Sequence, residues 1–154
     1  MKRVTYWPQL MLGFTFNWGA LMGWAAVSGE IQYPAIILYS AGIFWTLGYD
    51  TIYAHQDKED DVMIGVKSTA LRFGDNTRQW LSCFYALCFV LILISGYLSS
   101  LNVWFYASMI LAGLHLIWQL KSLVIDDREL CLKLFQSNHH FGALIFLSIL
   151  IGHQ

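Results

Sequence analysis

Charge is scarce in this chain. Of its 154 residues only 12% are Asp, Glu, Lys or Arg, about half the share of an ordinary soluble domain, and this excludes a soluble globular fold. Cysteine is equally sparse. Cys83, Cys88 and Cys131 form no Cys-x-x-Cys pair and sit among apolar residues, so they read as small hydrophobic side chains and not as a thiol metal site. No cleaved leader is expected from this stretch: Met1-Lys2-Arg3 is basic, but the apolar segment behind it is too long for a signal-peptide core and has no small-residue cleavage site. No soluble domain, low-complexity tract or convincing repeat interrupts the chain. The net charge of −1 decides nothing about partners, because the placement of the charges matters and their sum does not.

What the chain has in quantity is apolar length. It is 57% hydrophobic, and stretches near the length needed to cross a bilayer recur along it. Pro8 to Val27 carries no charge and forms the first expected span, with Gly13, Gly19 and Gly23 allowing close helix approach. Tyr33 to about Ala54 is the second, Gln79 to Ser99 the third and Val103 to Leu120 the fourth. His139 to Gly152 is apolar but short, so a fifth span must borrow Leu132 to Phe135 or end incompletely. The charged stretch Lys121 to Asn138 is expected as an interfacial helix, and Ile64 to Gly74 as a short helix closed by Gly74. The expected fold is therefore all-α, a multi-span transmembrane helical bundle.

The basic residues orient it. Lys2 and Arg3 precede span one; Lys58, Lys67, Arg72 and Arg78 lie between spans two and three; Lys121, Arg128 and Lys133 lie between spans four and five. The alternate loops have none, so the positive-inside rule puts the N-terminus and the loop after span two on the inner side.

That loop opens with the chemistry-bearing stretch. Asp50, Asp57, Asp60 and Asp61 are four of the seven aspartates, and they begin where the second apolar span ends. On a helix running that far, Asp50, Asp57 and Asp61 fall within roughly 40° of one another, with Glu59 pointing the opposite way. Carboxylates at the mouth of a membrane helix are costly unless a cation occupies them. The cluster offers oxygen ligands and no cysteine, which favours a hard cation such as Mg2+, an ion that takes one or two carboxylates together with substrate phosphates. Lys58, Lys67 and Arg72, with Arg3 from the same side, are the companions expected to hold a polyanion. The inference is a Mg2+-diphosphate site at the inner membrane surface, with Asp57 and Asp61 as metal ligands. His55 reads as a polar anchor at the interface, His115 as a hydrogen-bonded packing residue, and the aromatic residues as interface belts or the lining of a pocket.

The run YDTIYAHQDKEDDVMIGVKSTALRFG, Tyr49 to Gly74, resembles the second aspartate-rich motif of the UbiA-type intramembrane prenyltransferases, matching YDxxYAxxDxxDDxxxGxKST throughout. The segment MKRVTYWPQLMLGFTFNWGALMGWAAVSG is similar to the family's sequence before that motif, most of all in its 4-hydroxybenzoate polyprenyltransferase branch. The resemblance covers essentially residues 1–154, as the C-terminal part of a single membrane domain. It implies a helical fold in which two aspartate-rich motifs bind Mg2+ and an allylic polyprenyl diphosphate above a central cavity, in a bacterial or mitochondrial inner membrane with the acidic loop on the cytoplasmic or matrix side. By position it implies Asp57 and Asp61 as metal-diphosphate aspartates, Arg3 as a diphosphate-binding arginine, Lys67 as a supporting cation, and 4-hydroxybenzoate as the acceptor in ubiquinone synthesis. Asp50 and Tyr53 also match, and Asp50 is expected to orient the phenol or take its ring proton.

Family members have about nine spans and a first motif of the NDxxDxxxD type, which has no counterpart here. The chain is thus expected to represent five C-terminal spans, with half of the metal site. Two other readings stand beside this one. A CDP-alcohol phosphotransferase also uses membrane-surface aspartates and Mg2+, but its DGxxAR element is absent. A transporter or accessory subunit would use Asp50 as an intramembrane cation site.

Overall fold

In the computed structural model, which describes residues 3–153, helix boundaries fall where the sequence supplies caps. α1 (Pro8–Phe16) opens on a proline whose missing N–H has no partner to lose. α2 (Trp18–Ser28) closes on Gly29, whose φ of +80° is open to glycine without strain and whose N–H reaches the Ala25 carbonyl at 2.9 Å. α3 (Tyr33–Gln56) and the short α4 (Lys58–Met63) follow, then α5 (Thr69–Phe73), capped by the Ser68 hydroxyl. α6 (Thr77–Leu98) leads into α7 (Val103–Ser122), where the Asn102 side chain accepts from the Trp104 N–H. Asp127 caps α8 (Arg128–Gln136), and α9 (Asn138–Gly152) ends the chain.

Among the described residues, five stretches are long and apolar enough to cross a membrane: Pro8–Ser28, Tyr33–Gln56, Thr69–Leu98, Val103–Ser122 and Arg128–Gly152. The all-helical, multi-span architecture is the expected one, and three local expectations change. Span one is interrupted at Asn17, whose Nδ2 donates to the Gly13 carbonyl at 2.7 Å and to Thr46 Oγ1 of α3 at 2.9 Å. A polar side chain in an apolar setting is satisfied there by its own helix and by its neighbour. Span five starts at Arg128: α8 is an approach to α9 broken only at Ser137, because Cys131 and Leu134 are buried and hold it against the bundle. The helix expected from Ile64 begins only at Thr69, because Gly65 has φ +68° and Ser68 is extended.

α3 is the axis of the bundle. It packs against α1, α2, α5, α6 and α8, while α7 pairs with α9. Residues 45, 49 and 53 recur one turn apart on one face, and their rings meet α8 and α9. Trp45 lies 5.2 Å from Phe141 between ring centroids, and Tyr49 and Tyr53 lie 5.7 and 4.7 Å from Phe135. These aromatics therefore pack helix on helix, a use beside the interface belts and pocket lining expected from composition, and Trp45 also lines a small space between helices. The core of Leu81, Tyr85, Phe105, Met109 and Phe141 is almost fully buried. Span one is much less covered: 6% of its most apolar window is buried, against 44% for span two.

The packing of α6 on α3 at Tyr85 depends on Gly48. A Cβ there would stand 2.3 Å from Cε1 of the buried Tyr85 ring, which has no room to withdraw. Gly48→Ala is expected to cost about 1–3 kcal/mol by overpacking, read as a lower thermal unfolding midpoint in detergent. Gly19→Ala, whose Cβ would meet nothing within 4 Å, should leave that midpoint unchanged or slightly raised.

Candidate functional site

Asp50 is half-buried on α3. It follows Ile43 and Thr46 by seven and four residues, the side of α3 against which Gly13 of α1 and Asn17 just beyond it pack. It lies about 10 Å along the chain axis from the helix end at 1.5 Å per residue.

The helix does not run on to Asp61. α3 stops at Gln56, and Asp57 takes φ −100° and ψ 5°, outside the helical range, before α4 begins at Lys58. The single row of three aspartates on one continuous helix is therefore corrected to Asp50 on α3 and a separate pair beyond the break. That pair keeps its expected spacing, since the Asp61 N–H donates to the Asp57 carbonyl at 2.8 Å, one helical turn back. Asp57 is half-buried and Asp61 is 4% exposed. Glu59 and Asp60 face outward, as expected for Glu59. Arg128 bridges the two, its Nη2 on Glu59 Oε2 and its Nη1 3.8 Å from Asp60 Oδ2. Lys58 Nζ lies 4.0 Å from Asp126 Oδ1.

The cations approach from the other side. Beyond α4 the chain turns back, with the Val66 N–H donating to the Asp61 carbonyl at 3.0 Å. The next residue, Lys67, donates from Nζ to the Val4 carbonyl at 3.4 Å and stands 5.2 Å from the Tyr6 ring. Arg3 immediately precedes Val4 and is exposed. The Arg72 guanidinium sits 6.0 Å from the Tyr6 ring and 5.8 Å from that of Trp7. The fold thus brings the Arg3 segment to Lys67, and Lys67 to the backbone beside Asp61.

Buried hydroxyls hold this arrangement. Thr51 and Thr69 share a hydrogen bond of 2.7 Å, and the Thr69 N–H donates to Gln9 Oε1 at 3.3 Å. The three residues of the Lys67-Ser68-Thr69 run therefore act separately: on the N-terminal segment, as a helix cap, and as a tie to α3 and α1. His55 is 3% exposed, and its Nε2 lies 3.0 Å from Thr77 Oγ1. It is an internal tie between α3 and α6 and not the interface anchor expected. His115 meets the Gln119 amide at 3.3 Å, a packing role as expected. Thr51, Thr69, Gln9 and Arg128 were not singled out by sequence reasoning. The signal available was that both threonines lie within the motif region, Thr69 as the last residue of its pattern.

Among the described residues, no group of three or more His, Cys, Asp or Glu is arranged to hold a metal ion. The donor set of Asp57 and Asp61 suits Mg2+, which accepts one or two carboxylates and fills its remaining positions with phosphate oxygens and water. A large apolar cavity lies elsewhere. It measures about 770 Å³, sits at the opposite end of the bundle between Val27, Ser99, Leu101 and His153, and is lined mainly by apolar side chains. Through Ala20, Leu38 and Ile92 it adjoins a smaller space of about 170 Å³ that reaches Trp45 and Gly142.

Residues 1–150 match the model of the UbiA prenyltransferase family. The chain is 53% identical over 99% of its length to the mitochondrial 4-hydroxybenzoate polyprenyltransferase of Drosophila melanogaster, covering 39% of that protein. It is 51% identical over its whole length to the protein of the same name from Arabidopsis thaliana, covering 38% of it. The corresponding figures for the Homo sapiens protein are 50% identity, 99% of this chain and 42% of the relative. The chain spans about two fifths of the length of these relatives and aligns with their C-terminal part. No solved structure matches it. The motif, the five apolar helices and a match over nearly every residue establish that the chain belongs to the UbiA prenyltransferase family.

Proposed function

We propose that the protein transfers a polyprenyl group from its diphosphate to the ring carbon ortho to the hydroxyl of 4-hydroxybenzoate, a step of ubiquinone synthesis. The observation that carries this reading is the continuity of the polar end. Asp57 and Asp61 stand one turn apart, Lys67 follows the residue bonded to the Asp61 carbonyl, and Lys67 itself reaches the Arg3 segment. Relatives at about 50% identity bear the name of that activity.

In this reading Asp57 and Asp61 hold Mg2+, which when bound offsets the charge of the departing diphosphate. Arg3 and Lys67 hold diphosphate oxygens by charge-assisted hydrogen bonds. The allylic C–O bond breaks with both electrons leaving on the diphosphate, and the electron-rich ring carbon forms the new C–C bond. Asp50, on the side of α3 facing α1, orients the phenol or accepts the proton the ring then loses. Apolar and aromatic side chains shield the reacting carbon from water. The apolar space along α2, α6 and α9 suits an isoprenoid tail and is unsuited to phosphate. The remaining carboxylates come from a first aspartate motif in the portion of the relatives that this chain does not match.

Asp57→Asn and Asp61→Asn are expected to lower prenylated product on the order of 100-fold. The assay uses membranes with 4-hydroxybenzoate, a polyprenyl diphosphate and Mg2+, with the N-terminal portion of the Drosophila melanogaster relative co-expressed. Asp75→Asn, an exposed acid outside the pair, should match the unaltered chain. Undiminished turnover in both motif variants removes the assignment.

The relatives are named as mitochondrial, and the alternation of basic residues supports a reading in which the acidic loop lies on the matrix side of the inner membrane, or on the cytoplasmic side in a bacterium. Single cysteines at Asp75 and Glu30, in a background lacking the native three, should label from opposite sides in intact mitoplasts. Labelling of both from one side contradicts the topology.

A further inference from the structure

α4 is held in an unusual way. It is six residues long, its only buried residue is Asp61, and Val62, Met63 and Ile64 at its end are 61, 76 and 70% exposed. With so little apolar contact, polar contacts set its rotation about its own axis. Its ion pairs at Lys58, Glu59 and Asp60 all meet the start of α8. Arg128 bridges Glu59 and Asp60, and Lys58 faces Asp126.

That neighbour is firmly placed. Asp127 caps α8, Cys131 and Leu134 are buried to within 1% exposure, and Phe135 packs on Tyr49 and Tyr53 of α3. Arg128 is the first residue of this helix, so its guanidinium is carried on a fixed support. On a helical wheel, the mean direction of Glu59 and Asp60 lies roughly 130° from that of Asp57 and Asp61. Pinning the first pair therefore sets where the second pair faces.

We propose that Arg128 is a positioning residue for the carboxylate pair: by bridging Glu59 and Asp60 it sets the rotation of α4 at which Asp57 and Asp61 together hold a divalent cation. The inference rests on the reading of Asp57 and Asp61 as metal ligands. It makes Arg128 a partner that acts through the backbone of α4 and touches neither metal nor substrate. An exposed ion pair adds little to global stability, so the effect is on the site and not on the fold.

The sign of one measurement separates this role from a simple field effect. Removing a nearby positive charge makes the region more negative, and by field alone a divalent cation would then bind more tightly. Loss of positioning makes it bind more weakly. Mn2+ binding to the full chain, co-expressed with the N-terminal portion of the Drosophila melanogaster relative and held in nanodiscs, is the test, read by the loss of the free-ion EPR signal. Arg128→Ala is expected to weaken Mn2+ binding about 10-fold, the scale on which outer-shell partners of metal ligands act, while Arg128→Lys retains most of it. The exchange Glu59→Arg with Arg128→Glu should recover binding relative to Arg128→Glu alone, and it decides the question if Arg128→Ala fails to fold by circular dichroism. Equal or tighter binding in Arg128→Ala, or no recovery in the exchange, overturns the proposal. If the unaltered chain binds Mn2+ no better than the Asp57→Asn, Asp61→Asn double variant, the metal reading of the pair fails first, and the positioning role falls with it.

Discussion

The backbone break at Asp57 is the constraint on which the polar end of the molecule depends. A helix that continued straight would carry the acidic residues away from the bundle along the axis of α3. α3 instead stops at Gln56 and a new helix starts at Lys58. The bond from the Asp61 N–H to the Asp57 carbonyl keeps those two residues one turn apart. The chain then returns through Gly65, where a φ of +68° suits a residue without a side chain. That return lays Lys67 against the N-terminal segment.

Buried hydroxyls keep the returning loop in place. In an apolar environment a polar group left without a partner is expensive, so such groups act as specific fasteners between helices. Thr51 on α3 bonds Thr69 at the start of α5, Gln9 on α1 takes the Thr69 N–H, and His55 meets Thr77 at the start of α6. Four helices are thus joined within one layer at the end of the bundle where the charges collect. The layer converts a loop of mixed charge into a surface of defined shape.

α3 distributes its three sides among different tasks. Trp45, Tyr49 and Tyr53 bind it to α8 and α9; Gly48 and His55 set its approach to α6; Ile43 and Thr46 meet α1, on the side that also carries Asp50. The polar end and the apolar cavity stand at opposite ends of this axis. Such a division suits a ligand with a charged head and a long apolar tail, the chemistry of the proposed donor.

Much of this was legible in the sequence because it depends on neighbours along the chain. Apolar runs with polar turns between them determine five spans, Pro8, Gly29 and Asn102 mark helix ends through their own backbone and side-chain chemistry, and the run from Tyr49 to Thr69 carries the family's pattern in its residue types. The break at Asp57 was not legible, since neither glycine nor proline stands there. Nor were the contacts that give the acidic helix its orientation. Arg128 and Glu59 are 69 residues apart, Thr51 and Thr69 are 18 apart, and His55 and Thr77 are 22 apart. The sequence by itself determined which segments are helical, which cross a membrane and which residue types gather at one end. Only the tertiary structure decided that Asp57 and Asp61 form a pair set apart from Asp50, and that Arg128 faces their helix, because pairing between distant residues is settled by how whole helices pack and not by local propensity.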